Sequence, residues 1–129
     1  MRGYERRLRE ENLIDFDDML VFCYELLKER KDILAMWQQK FQYILIDEFQ
    51  DINKVQYEIV RMLAGKGDHL FIVGDDDQSI YRFRGARPEI MLGFEKDYPD
   101  AKKVILNTNY RCSAEIVDSA EHLISHNTK

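Results

Sequence analysis

Twice in this chain an apolar run gives way abruptly to carboxylates and amides. Tyr43-Ile44-Leu45-Ile46 runs into Asp47-Glu48-Phe49-Gln50-Asp51, and Phe71-Ile72-Val73 runs into Gly74-Asp75-Asp76-Asp77-Gln78. Short runs rich in β-branched and aromatic residues, bounded by turn formers, read as strands. In an open parallel sheet, ligands bind just beyond the carboxyl ends of the strands, so two such endings predict one polar site at one sheet edge. An absence is equally informative: the 129 residues contain no G-x-x-x-x-G-K-[ST] phosphate-binding loop.

The rest of the pattern supplies helices around those strands. Residues 1–12 carry dense charge of both signs and read as a solvated helix or a frayed terminus, and nothing in them resembles a natural domain start. Phe16, Met19, Leu20, Cys23, Leu26 and Leu27 follow helical spacing, with Asp15 as N-cap and Asp17 and Asp18 in the first turn, where the helix dipole favours them. Ile33, Leu34, Trp37 and Phe41 predict a second, shorter helix leading to a strand at about 42–47.

Asn53 or Asp51 is placed to cap a helix with Val55, Ile59, Met62 and Leu63 on its apolar face, ended by Gly65-Lys66-Gly67. His69 to Val73 forms the second strand, and Pro88 opens a helix reaching about Lys96. Lys103 to Leu106 reads as a third strand. Ser113 reads as the cap of a last helix that turns Ile116, Val117, Ala120, Leu123 and Ile124 inward. Alternation of this kind predicts an α/β domain, a parallel sheet flanked by helices. One edge of so small a sheet stays open, a route to self-association.

Composition narrows the class. Hydrophobic residues at 45% and charged residues at 33% describe one ordinary globular domain. The net charge of -5 excludes a chain that is basic overall, so any contact with DNA must be local. Cys23 and Cys112 lack metal-ligand spacing, which points to a reduced, cytoplasmic protein. No apolar run approaches a membrane span, and no apolar segment follows the charged N-terminus as a secretory signal requires.

The chemistry begins at Asp47-Glu48. Mg²⁺ is a hard ion that takes one or two carboxylates plus phosphate oxygens and keeps several waters. Asp47 suits the metal or its water, and Glu48 suits the general base that deprotonates a water attacking a γ-phosphate. On the dipeptide alone, two solvated loop acids are the simpler reading. Gln78, just past the neighbouring strand, is placed to touch both the γ-phosphate and that water, although a loop glutamine by itself is a surface residue. Tyr81, Arg82, Phe83, Arg84 and Arg87 interleave rings with cations. Bases of single-stranded DNA stack on such rings for roughly 1–3 kcal/mol each, and cations hold the phosphates. The competing reading packs the rings into the domain and pairs the arginines with Asp75 to Asp77. Arg111 suits an arginine finger, and Tyr110 a ring stacked on a purine.

Taken together, Asp47 to Asp51, Val73 to Ala86 and Asn109 to Arg111 closely resemble motifs II, III and IV of the UvrD/PcrA/Rep family of superfamily 1 DNA helicases, in order. Ile14 to Leu20 resembles the acidic-aromatic segment upstream of motif II, so the resemblance covers about residues 13–124. It implies a partial RecA-like P-loop NTPase fold without its Walker A strand-loop-helix. A charged segment (1–12) would precede a piece of motor domain 1A (13–129), with motif II at 43–51, motif III at 71–86 and motif IV at 106–112. It further implies an enzyme, an ATP-dependent 3′-to-5′ DNA helicase using ATP and Mg²⁺ and acting on single-stranded and duplex DNA.

By the same resemblance Asp47 is the magnesium-associated acid and Glu48 the catalytic base. Gln78 and Arg111 contact the γ-phosphate, and Tyr110 stacks on adenine. Tyr81 and Phe83 stack on single-stranded DNA beside Arg84. Many relatives carry Trp in place of Phe83, which keeps a π-face but with less area. The missing phosphate loop implies that the isolated chain is inactive. Three alternatives stand beside this reading. An AddA-like helicase–nuclease shares the run Ile80 to Arg84. A receiver domain built on Asp47 and Asp75 to Asp77 lacks the late lysine it needs. A non-catalytic remnant that binds DNA or a partner would have no use for Glu48, Gln78 and Arg111. Repair, replication restart, plasmid replication and recombination are all open as pathways.

Overall fold

The computed structural model describes residues 2–75, 78 and 88–126, and every structural statement below concerns these. In chain order the elements are α1 (Arg2–Glu10), α2 (Phe16–Glu29), α3 (Lys31–Lys40), β1 (Ile44–Ile46), a 3-10 turn (Phe49–Asp51), α4 (Lys54–Ala64), β2 (Leu70–Ile72), α5 (Pro88–Asp97) and α6 (Ala114–Ile124).

Local chemistry explains where the main helices begin and end. The Asp15 carboxylate accepts the Asp18 N–H at 2.8 Å while Asp18 accepts the Asp15 N–H, a reciprocal capping box at the start of α2. Asn53 and Gln56 repeat the arrangement at α4, at 2.9 and 3.0 Å, which decides for Asn53 over Asp51 as cap. Gly65 closes α4 with φ +57, a conformation costly to any residue carrying a Cβ. The charged N-terminal helix α1 is exposed from Gly3 to Glu10 except at the half-buried Leu8, and carries the i,i+4 pairs Arg6–Glu10 and Arg7–Glu11.

β1 and β2 pair in parallel, with Ile44 opposite Leu70, Leu45 opposite Phe71 and Ile46 opposite Ile72. Side chains alternate along a strand. Ile46, Leu70 and Ile72 therefore face inward onto Phe49, Ile52, Tyr57 and Val60, while Leu45 and Phe71 stand exposed on the other face. The Phe49 ring is fully buried and meets Tyr57 and Phe94 edge to face, at centroid separations of 5.8 and 5.7 Å. α5 is held from a second side, where the Tyr57 hydroxyl donates to Asp97 at 2.5 Å. Burial and that carboxylate push the Tyr57 phenol above its ordinary range. α2 and α3 pack on α4 around Leu27 and Ala64, and the Gln38 amide donates to the Met62 carbonyl at 2.7 Å.

Two expectations, the third strand and the inward face of the last helix, are corrected. Lys103 to Leu106 forms no strand: Val104, Ile105 and Leu106 lie exposed in irregular backbone. The sheet has two strands, because a strand exists only through a ladder partner and none lies beside this segment. The apolar stripe of α2 is buried only at Leu27, since α3 and α4 cover just that part of it, and Phe16 is 79% exposed. α6 buries no residue, with Ile116 and Leu123 exposed, because no sheet surface lies against it; Ser113 takes the cap position without its side chain capping a helix N–H.

Two backbone positions invite direct tests. Gly67 has φ +84, and a Cβ there would collide with the Tyr98 ring. Gly67→Ala should therefore cost roughly 2 kcal/mol or more, from strain plus overpacking, read as a lower urea midpoint. Glu48 is also left-handed, at φ 50 and ψ 42, without glycine's freedom. Comparing Glu48→Gly with Glu48→Ala removes the side chain in both cases. The glycine variant should be the more stable by about 1 kcal/mol if the backbone is strained there; equal unfolding midpoints would show that it is not.

Candidate active site at the strand ends

The site starts from register. Beyond the last paired residues, the Val73 N–H donates to the Ile46 carbonyl at 2.8 Å and the Phe49 N–H donates to the Val73 carbonyl at 2.9 Å. The two strands therefore finish together, and Asp47-Glu48 leaves the sheet beside Gly74-Asp75. At β1 the Asp47 carboxylate accepts the Glu48 N–H at 2.9 Å, and the chain then turns through the left-handed Glu48 into the 3-10 turn. This turn sends Phe49 into the core and leaves the Asp47 and Glu48 side chains exposed at the edge.

A residue without an assigned role ties the two exits together. Gln50 is only 2% exposed. Its Nε2 donates to Glu48 Oε2 at 2.6 Å, and its Oε1 accepts the Asp75 N–H at 3.1 Å. Past β2, the Gln78 side chain donates to Asp75 Oδ2 at 2.8 Å and the Gln78 N–H donates to the Asp75 carbonyl at 3.2 Å. A polar chain thus runs from Glu48 through Gln50 and Asp75 to Gln78, with Asp47 at its start. The sequence signal for Gln50 was modest: an amide, carrying both a donor and an acceptor, next to a buried aromatic in a turn between two acids.

Asp47, Glu48 and Gln78 are brought to one edge; Tyr110 and Arg111 are not joined to them. Asn109 Oδ1 accepts the N–H groups of Arg111 and Cys112 at 2.9 and 3.0 Å, shaping a local turn on which Tyr110 is 93% exposed. Among the described residues no hydrogen bond or ion pair links the Arg111 side chain to Glu48 or Gln78. Among the described residues no strand pairing holds residues 107–112 to the sheet. Tyr81, Phe83 and Arg84 lie outside the described residues.

For a metal, the donors present suit a shared site and not a closed one. No group of three or more His, Cys, Asp or Glu residues gathers to hold an ion among the described residues. Asp47 offers an exposed carboxylate with one oxygen occupied by its neighbour's N–H. That matches Mg²⁺ held by one carboxylate with phosphate oxygens and water completing its shell. The open groove between α4 and α5, lined by Arg61, Gly65, Asp97 and Tyr98 among others, contains none of these residues.

Comparison with known proteins places the chain in a family. Residues 1–99 match the UvrD/REP helicase N-terminal domain. The chain is 55% identical over 124 residues to the putative ATP-dependent DNA helicase YjcD of Bacillus subtilis (strain 168), covering 96% of this chain and 16% of that protein. It is 44% identical over 128 residues to the ATP-dependent DNA helicase PcrA of Staphylococcus epidermidis, covering 99% and 18%. Against PcrA of Leuconostoc citreum it is 44% identical over 127 residues, covering 98% and 17%. The chain thus spans about a sixth of the length of these relatives. With the family match over most of its length and these identities, the chain belongs to the UvrD/REP helicase family.

Proposed function

We propose that this chain is the motif II to motif IV part of the first motor domain of an ATP-dependent DNA helicase. In that protein, ATP hydrolysis drives 3′-to-5′ translocation on single-stranded DNA and unwinding of duplex. The observation that carries the reading is the Glu48 carboxylate, fixed at a strand end by a left-handed backbone and a buried amide, beside the strand end that bears Gln78. The names of the relatives support it.

In this reading Glu48 accepts a proton from the water that attacks the γ-phosphate, while the P–O bond to the leaving ADP breaks. Gln78 contacts the γ-phosphate and that water. Its bond to Asp75 is then exchanged for substrate, a rearrangement within reach of an exposed side chain. Asp47 would hold Mg²⁺, which when bound neutralises charge on the phosphates. Arg111 and Tyr110 would join the nucleotide through a rearrangement of their loop, and Tyr81, Phe83 and Arg84 would carry the DNA contacts. Cys23 and Cys112 are free and exposed, which suits a reducing cytoplasm.

The test is ATP hydrolysis by the parent protein, with and without single-stranded DNA. DNA should stimulate the wild type strongly, and Glu48→Gln should lower kcat by about 10²- to 10⁴-fold, the usual contribution of a general base. A mutant with wild-type turnover would leave only a fold resemblance. The isolated chain, having no phosphate-binding loop among its 129 residues, should show no ATPase above background. Turnover by the isolated chain that Glu48→Gln abolishes would refute that expectation.

A further inference from the structure

We infer that Gln50 is a positioning residue that couples the Glu48 carboxylate on one strand exit to the Gln78-bearing loop on the other; the inference rests on the proposed role of Glu48. A buried amide needs partners for its donor and its acceptor. Here the partners fix its orientation: the carboxylate can only accept, so it takes Nε2, and the Asp75 N–H can only donate, so it takes Oε1. No other residue type of this length supplies a neutral donor at one corner and an acceptor at the other.

Two independent features show that the space around this amide is closed. Gln50 is almost wholly buried although it follows an exposed strand end. A Cβ on Gly74 would lie 2.7 Å from Gln50 Oε1 and 3.2 Å from the backbone nitrogens of Phe49 and Gln50, so the second exit passes the amide more closely than a Cβ can sit unless the amide shifts. Asp75, one residue on, accepts from the Gln78 side chain. Base and phosphate-contacting glutamine are therefore joined through the Gln50 side chain and Asp75, and a shift of either loop is passed to the other. Gln50 acts on chemistry only through Glu48 and the Asp75 backbone.

The experiment uses the parent protein and steady-state ATPase with saturating single-stranded DNA. Gln50→Met keeps length and volume but removes the hydrogen bonds to Glu48 and Asp75. It should lower kcat roughly 10- to 100-fold, the cost of a catalytic group held out of place, while KM for ATP stays near that of the wild type. In a Glu48→Gln background the same change should add almost nothing, because residues acting as a unit are non-additive. Gly74→Ala, which crowds Oε1 at an exposed position, should lower kcat in the same direction and lose its effect in the same background.

A folded Gln50→Met protein with wild-type kcat overturns the inference, as do losses that multiply with Glu48→Gln, the signature of a merely structural role. Should Gln50→Met fail to fold, Gly74→Ala decides by the same two criteria. If Glu48→Gln itself leaves ATPase intact, the reading of Glu48 falls and this inference with it. A collapse in Glu48→Gln beside a wild-type Gln50→Met overturns this inference alone.

Discussion

The burial of Phe49 is the constraint on which the rest depends. Its ring is fully enclosed, it meets Tyr57 of α4 and Phe94 of α5 edge to face, and its own N–H closes the ladder onto Val73. One residue therefore links both strands, the helix between them and the helix after them. Truncating a buried phenylalanine costs about 3–5 kcal/mol in ordinary cores. The neighbours of Phe49 in sequence stand at the polar edge, Glu48 before it and Gln50 after it. The anchor that organises the core also sets where the carboxylate stands.

That arrangement explains an otherwise unfavourable backbone. Glu48 adopts a left-handed conformation because the chain must leave β1, keep the Asp47 and Glu48 side chains at the edge and still drive Phe49 inward within two residues. A non-glycine residue held so costs roughly 1–3 kcal/mol, and such strain persists where the surroundings over-determine it. Here they do so through Phe49 packing on one side and the Gln50 amide on the other.

The packing is one-sided, and this accounts for the expectations that failed. The inner sheet face, α4 and α5 share the core, whereas Leu45 and Phe71 on the outer face, most of the α2 stripe and most of α6 remain open to solvent. Amphipathic spacing was a sound guide to helix existence, since Asp15, Asn53, Gly65 and Pro88 all mark helix ends where expected. It was a poor guide to burial. An apolar face is buried only when a complementary surface lies against it, and periodicity carries no information about that surface. Lys103 to Leu106 failed for a related reason: apolar β-branched character favours a strand, but only a neighbouring strand makes one.

The sequence by itself determined the local and the chemical: which stretches become the main helices, the two strands and their acidic ends, and motifs specific enough to indicate the family that comparison then showed. These are properties of spacing, caps and residue type, all legible along one dimension. The strand endings already predicted one polar edge; the tertiary structure decided the pairing that puts Asp47, Glu48 and Gln78 there, because parallel register sets which strand ends coincide. It also decided that Tyr110 and Arg111 stand apart in this chain, since their loop has no strand to hold it. And it gave Gln50 its role, for a bridging amide is defined by the donor and acceptor on either side of it. Glu48 and Asp75 lie two and twenty-five residues from it along the chain and meet only in the fold.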